Sequence, residues 1–135
     1  MSDLARVRSE QQGPLFVVCV EGEVDLSNAL EMASAIEGAM PDDATELVVD
    51  LTDTAYLDSS GVGLLVRLAE RLRHRRRRLQ LVVPAGSPIR VALELCGIPQ
   101  IVPMATRLEE LRPEAEPGWS SPGSGASVGR EEPGR

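Results

Sequence analysis

Residues 47–63 read LVVDLTDTAYLDSSGVG, in which an apolar run, a polar run and a serine-glycine run follow one another. The apolar run is rich in valine, which predicts a buried strand over 46–51. Over 60–75, apolar residues recur at three- and four-residue spacing, which predicts a helix with one buried face. The residues on that face are Val62, Leu65, Leu68, Ala69 and Leu72. A strand followed by a helix is the repeating unit of α/β proteins.

The same patterns recur on both sides of this unit. Apolar runs predict strands at 15–20, 79–83 and 101–102, and alternation predicts an edge strand at 4–8. Capping residues predict helices from Ser27 to about Ala39 and from Ser87 to Gly97, and a last helix covers 106–111. The apolar face of the first helix is predicted to hold Leu30, Ala33, Ile36 and Met40.

The order of these elements is β, β, α, β, α, β, α, β, α. Strands that alternate with helices favour a parallel sheet with helical cover, and the two opening strands can pair antiparallel. We therefore predict a single α/β domain, with a mixed, mostly parallel sheet of four to five strands and about four helices packed on it.

Composition narrows the possible classes of protein. The chain has 135 residues, and no apolar run approaches the ~18 needed to span a bilayer. Its first residues lack the basic and apolar segments of a signal peptide, so we expect a cytoplasmic protein that does not contact a membrane. Cys19 and Cys96 are expected to be buried thiols and not a disulfide. One histidine and two cysteines give no convincing zinc site, and no cofactor is expected.

Charge is distributed unevenly along the chain. Residues 1–60 carry 13 acidic residues and 2 arginines, whereas 61–112 carry 4 acidic residues and 10 arginines. Arginines cluster over 71–78 around His74, which could indicate nucleic-acid binding or a solvated helix end whose charge complements the helix dipole. The net charge of −7 and the absence of aromatic residues from the cluster argue against direct nucleic-acid binding. Contact with an acidic partner surface is the more plausible interaction.

The last 23 residues differ in composition from the rest. Thirteen of residues 113–135 are Pro, Gly or Ser, and few are apolar. Such a segment buries too little surface to offset the entropy lost on ordering. We predict a domain over 1–112 and a disordered tail over 113–135, with the role of Trp119 open.

The serine-glycine run is the candidate functional site. Asp58 or Ser59 can cap the helix, whereas Gly61 and Gly63 each cost roughly 1 kcal/mol relative to alanine. A phosphate on Ser60 would meet free N–H donors and the positive end of the helix dipole, so the fold should accept it. A docked partner should not, because Asp58 already adds negative charge there. The simpler alternative is an ordinary N-cap.

A hydrolase triad is excluded by distance. Ser60, Asp58 and His74 supply the residue types, but His74 lies fourteen residues along the same predicted helix, about 21 Å from Ser60. No hydrogen bond spans that separation, and we expect no enzyme activity.

Four short motifs resemble the STAS domain family, and in particular its bacterial anti-sigma factor antagonists. The family's serine signature appears as Leu57-Asp58-Ser59-Ser60-Gly61-Val62-Gly63 after the apolar strand. Its Gly-Glu-Leu-Asp motif appears as Gly22-Glu23-Val24-Asp25. Its Ser-Pro segment and downstream glycine appear as Ser87-Pro88 and Gly97-Ile98. The similarity covers roughly residues 4–111.

The resemblance implies a switch between partners. An anti-sigma factor that is also a serine kinase would phosphorylate Ser60, and a PP2C-type serine phosphatase would reverse the reaction. The unphosphorylated form would bind the anti-sigma factor and free the sigma factor. The implied partner-binding residues are Gly22, Glu23, Asp25, Ser27, Asp58, Ser59, Ser60, Gly61, Val62, Gly63 and Leu64. The alternative is an interaction module that binds another regulatory protein or a small anion without phosphorylation.

Overall fold

The computed structural model describes residues 5–111, which form one six-stranded sheet and three α-helices. The predicted tail at 113–135, with Trp119, lies outside the described residues. The strands are β1 Ala5–Gln12, β2 Leu15–Val24, β3 Glu46–Asp50, β4 Thr54–Leu57, β5 Arg78–Val82 and β6 Met104–Ala105. The helices are α1 Ala29–Ala39, α2 Ser59–His74 and α3 Pro88–Leu95, with 3₁₀ turns at Ile98–Gln100 and Leu108–Glu110.

The sheet is mixed and mostly parallel, as predicted. Its order is β1-β2-β3-β5-β6, with β1 antiparallel to β2 and the other pairs parallel. The additional strand, β4, lies in a segment that we predicted to be a loop. It pairs with the carboxyl-terminal part of β2, whereas β3 pairs with the first part of β2. The four residues of β4, Thr-Ala-Tyr-Leu, are too short a run to show a strand pattern by themselves, so the pairing was not predicted.

The core lies between one face of the sheet and the three helices. Met32 of α1, Leu65 and Leu68 of α2, and Leu93 of α3 are almost fully buried there. A smaller cluster on the opposite face contains Leu15, Val17, Val48 and Val82, with Leu108 and Leu111 packed against it. Because both faces of the central strands are buried, their sequences are continuous apolar runs and do not alternate.

The start and the buried face of α1 differ from the prediction. The helix begins at Ala29 and not at Ser27, and its buried residues are Ala29, Met32, Ala33 and Ile36. Leu30, which we placed in the core, is 69% exposed. Leu30 lies about 100° around the helix from Ala29, so a helix that turns Ala29 and Met32 toward the sheet turns Leu30 away.

Two elements predicted near the carboxyl terminus are wrong. The strand at 101–102 is absent because the N–H groups of Ile101 and Val102 both bond to the carbonyl of Ile98 in a 3₁₀ turn. Strand pairing resumes only at Met104–Ala105. The helix at 106–111 is a single 3₁₀ turn, Leu108–Glu110, after which the backbone is extended at Leu111. This extended end lets Leu111 pack on the sheet.

The two cysteines also differ from expectation. Cys19 is half-buried, and burial together with the nearby Asp50 carboxylate raises the pKa of its thiol. Cys96 is exposed, because Gly97 turns the chain at φ +76° and Ile98 enters the core instead. Within residues 5–111, no helix has the length and apolar character to cross a bilayer.

Candidate functional site

The carboxyl-terminal ends of β2 and β4 lie side by side. Val24 pairs with Leu57, and the N–H of Asp58 donates to the carbonyl of Val24 at 3.3 Å. Asp25 and Asp58 are the residues that follow this pair. The parallel pairing therefore brings the two aspartates to the same edge of the sheet.

A buried asparagine holds the loop after β2. The Oδ1 atom of Asn28 accepts from the N–H of Asp25 at 3.0 Å, and its Nδ2 donates to the carbonyl of Glu23 at 2.9 Å. Asn28 is fully buried, so these bonds replace water that it has lost. Its role was missed, although an asparagine just before a helix and three residues after an aspartate is a recognisable turn signal.

Asp25 is engaged within the same loop. Its Oδ1 atom accepts from the N–H of Ser27 at 2.9 Å and from the Ser27 hydroxyl at 2.6 Å. Ser27 therefore supports Asp25 and does not cap α1 as predicted. Asp25 is half-buried, and its second carboxylate oxygen accepts no hydrogen bond from residues 5–111.

A bulge precedes this loop in β2. The register with β4 shifts between Gly22 and Glu23, and Gly22 has φ +98°, which glycine adopts without steric cost. The N–H of Gly22 donates to the carbonyl of Asp53 at 3.1 Å. The bulge leaves Glu23 exposed beside Tyr56, which is half exposed. Glu23 thus adds a third carboxylate to the edge formed by Asp25 and Asp58.

Asp58 is the N-cap of α2. Its Oδ1 atom accepts from the N–H groups of Ser60 at 2.8 Å and Gly61 at 3.2 Å. Asp58, one of the two predicted caps, is therefore the cap. The expectation of free donors is wrong for the N–H groups of Ser60 and Gly61, because the Asp58 carboxylate occupies both. A phosphate on Ser60 would add charge to an anion position that is already filled.

Ser60 itself is available for modification. Its side chain is half-buried, and its hydroxyl forms no hydrogen bond within residues 5–111. Ser59, the preceding residue, is exposed. The helix separates Ser60 from His74 by its full length, so the two cannot act together.

The two glycines of α2 occupy different environments. A Cβ atom at Gly61 would collide with the Leu57 side chain and come within 3.3 Å of Val24 Cγ1. At Gly63 the same atom would meet nothing within 4 Å. Gly61 is therefore required for packing α2 on the sheet. Gly63 is exposed. Glycine in a helix costs roughly 1 kcal/mol relative to alanine, and packing within this chain does not explain why glycine is present there.

Gly63 lies in a groove between α1 and α2. The groove has a volume of about 340 Å³. Leu26 and Leu30 stand at its edge with 81% and 69% of their surface exposed. Arg67, one turn beyond Gly63, is exposed and forms no ion pair within the part of the chain that the structure describes. The lining residues are Leu26, Ala29, Leu30, Ala33, Ser59, Ser60, Gly63, Leu64 and Arg67.

The predicted partner-binding residues thus form one continuous region, with two exceptions. Gly61 is buried beneath Leu57, and Val62 is half-buried against the core. Leu64 is 7% exposed but still lines the groove. The rest of the predicted set is exposed or half-buried at the strand ends and the start of α2, namely Gly22, Glu23, Asp25, Ser27, Asp58, Ser59, Ser60 and Gly63. Leu26, Leu30 and Arg67 are additional members that sequence patterns did not reveal.

The opposite end of α2 carries the arginine cluster. Arg71 Nε lies 2.8 Å from Glu37 Oε2, and Arg77 Nη2 donates to the carbonyl of Asp42 at 3.0 Å. Arg73, Arg77 and Arg78 border a second cleft of about 430 Å³. Several of these arginines thus have partners within the chain. Among residues 5–111, no group of three or more His, Cys, Asp or Glu side chains could hold a metal ion.

Comparison with known proteins places residues 6–111 of this chain in a family. The model of the STAS domain family matches residues 6–111. The anti-sigma-B factor antagonist of Listeria monocytogenes is 31% identical over 85 residues, which cover 63% of this chain and 74% of that protein.

Solved structures agree on the fold. The crystal structure of an anti-sigma factor antagonist from Mycobacterium paratuberculosis superposes with a TM-score of 0.70 at 25% identity, covering 78% of this chain and 89% of that one. The phosphorylated form of the Bacillus cell fate determinant SpoIIAA gives a TM-score of 0.56 at 23% identity, covering 78% and 96%.

Proposed function

This chain belongs to the STAS domain family, and from that premise we propose that it is an anti-sigma factor antagonist that works by partner switching. Its unphosphorylated form binds an anti-sigma factor with serine kinase activity in the cytoplasm and thereby frees a sigma factor. Phosphorylation of Ser60 abolishes that complex, and a PP2C-type serine phosphatase restores it. The relatives named anti-sigma factor antagonists support this assignment.

Ser60 carries the proposal. Its hydroxyl is free of intramolecular bonds among the described residues, and it lies between the acidic strand ends and the apolar groove. A kinase that docks across both features would have this hydroxyl within its contact surface. The same placement means that a phosphate there would obstruct the docked complex.

Electrostatics explain how the phosphate would act. It adds about 1.5 to 2 negative charges at neutral pH. Asp58 already accepts from the N–H groups of Ser60 and Gly61, so these two donors offer the phosphate little compensation. Partner groups that face Glu23, Asp25 and Asp58 gain attraction, but the phosphate also needs space and water inside a closed interface. We expect the cost of desolvating and accommodating the phosphate to exceed this added attraction.

Phosphorylation of Ser60 is tested with purified kinases. Each serine-kinase anti-sigma factor of the source organism is incubated with the full chain and ATP, and phosphate is located by mass spectrometry. We expect one kinase to modify Ser60, Ser60→Ala to prevent this, and Ser59→Ala to leave it intact. Binding without any phosphate would instead favour an interaction module that is not phosphorylated.

The effect of charge is tested by binding in the absence of ATP. Ser60→Asp should weaken binding to that kinase by about tenfold or more, whereas the uncharged Ser60→Asn should weaken it less. Both variants should keep the thermal midpoint, because aspartate in the first turn of a helix is compatible with its dipole and asparagine adds no charge there. Equal binding by Ser60→Asp and wild type would contradict the proposal.

A further inference from the structure

We propose that the groove between α1 and α2 receives an apolar side chain of the anti-sigma factor, and that an acidic residue of the same partner pairs with Arg67. The inference rests on the proposed function and extends it. It names the chemistry of the partner surface over this groove, where Leu26, Leu30 and Arg67 add to the residues that the family resemblance implied.

The apolar occupant follows from two exposed leucines. Leu26 and Leu30 are 81% and 69% exposed at the edge of the same groove, whereas the other large apolar side chains of α1, Met32 and Ile36, are buried. Its volume of about 340 Å³ reaches the range of small-ligand pockets, which start near ~300 Å³. A leucine, isoleucine or phenylalanine of a partner would fit and would cover both leucines.

Gly63 points independently to an occupant from outside the chain. Alanine is a better helix former, and a methyl group there would meet no atom of this chain within 4 Å. Glycine is nevertheless present, in contrast to Gly61, where packing leaves no room for a methyl group. Glycine at this position keeps the floor of the groove open to close approach by another surface.

The charges at the two ends of the groove define the partner's orientation. Beyond Ser60, the strand ends carry the exposed Glu23 and the half-buried Asp25 and Asp58. At the far end stands Arg67, which has no ion pair within residues 5–111. A complementary surface presents basic groups to the carboxylates, an apolar side chain to the groove and a carboxylate to Arg67.

The probe is the kinase that phosphorylates Ser60, measured by calorimetry without ATP so that Ser60 stays unmodified. Leu30→Asn should weaken binding by at least about tenfold, as loss of an apolar anchor does. Leu95→Asn is the matched control, because Leu95 is 83% exposed on α3 and far from the groove, and it should bind as wild type.

Gly63→Met separates the groove from the stability of the helix. Methionine is a better helix former than glycine, so the thermal midpoint should stay equal or rise. The longer side chain should fill the groove and weaken kinase binding by about tenfold or more. A purely structural glycine would give no such combination of a stable fold and lost binding.

Arg67 is tested by reversing its charge. Arg67→Glu should weaken binding by about tenfold, and Arg67→Lys should retain most of it. Arg107→Glu makes the same change on an exposed residue after β6, outside both the groove and the arginine cluster, and should have no effect.

The outcomes distinguish the two proposals. If no purified kinase binds the wild-type chain, the proposed function and this inference are both wrong. If the kinase binds and Ser60→Asp disrupts binding, but Leu30→Asn and Gly63→Met bind as wild type, only the groove assignment is wrong. If Leu30→Asn instead dissociates a dimer of this chain in sedimentation, the groove is a contact between copies and the inference is overturned.

Discussion

The two ends of α2 carry opposite charges, and both charges suit the helix dipole. Asp58 caps the amino-terminal end, and Arg71, Arg73 and His74 lie in the last turn. Stability alone explains these features. The two ends differ in their other features. The amino-terminal end borders an apolar groove and contains Gly63, which packing within the chain does not explain. The carboxyl-terminal end carries arginines, several of which have partners within the chain.

The carboxyl-terminal end of α2 also contains an energetically unfavourable residue. Arg76 has φ +61° and occupies the position after the helix where glycine is favoured. The N–H groups of Arg76 and Arg77 bond back to the carbonyls of Arg73 and Leu72, which closes the helix. The strain at Arg76 thus belongs to a well-bonded helix end. The comparison teaches that an energetically unfavourable residue indicates an interface only where no contact or hydrogen bond within the chain explains its presence.

The largest change in the free energy of unfolding is expected at Gly61, and Gly63 should respond in the opposite direction. Gly61→Ala should destabilise the protein by about 1–3 kcal/mol, because its methyl group overlaps Leu57 in a packed core. Gly63→Ala should stabilise it by up to about 1 kcal/mol through helix propensity. Urea unfolding of the two variants measures both values. Equal and unfavourable changes would mean that Gly63 is also required by the fold.

The cap of α2 should contribute a smaller amount. Asp58→Ala removes the acceptor for the N–H groups of Ser60 and Gly61 and should cost about 1 kcal/mol. Asp58→Asn keeps an oxygen acceptor and should cost little, which makes it the control. Thermal unfolding checks both variants. If Asp58→Asn is as unstable as Asp58→Ala, charge and not the hydrogen bonds stabilises this end.

The smallest effect is expected at the other end of the helix. Arg76→Gly removes the steric cost of the left-handed backbone, about 1 kcal/mol, but adds about 0.5 kcal/mol of unfolded-state entropy. The net result should be a gain of about 0.5 kcal/mol in urea unfolding. Arg75→Gly is the control, because Arg75 has φ −103° and glycine there brings no relief. A loss at Arg76 would show that the guanidinium stabilises the fold.

Much of this protein follows from local sequence patterns. The spacing of leucines in α2, the capping Asp58 and the valine-rich strands were all identified correctly, because helix periodicity, capping and β-branched runs act within a few residues. The family motifs around Ser60 and Asp25 were also recognisable from the sequence.

Only the tertiary structure decided which side of α1 meets the sheet and how the segment between β3 and α2 is paired. It turned Leu30 outward, paired 54–57 with β2 as a strand, and placed Leu57 beneath Gly61 but nothing over Gly63. These outcomes depend on contacts between residues far apart in the chain. The sequence of α2 therefore identified the serine, and the packing of α1 and β4 against it decided which surface surrounds that serine.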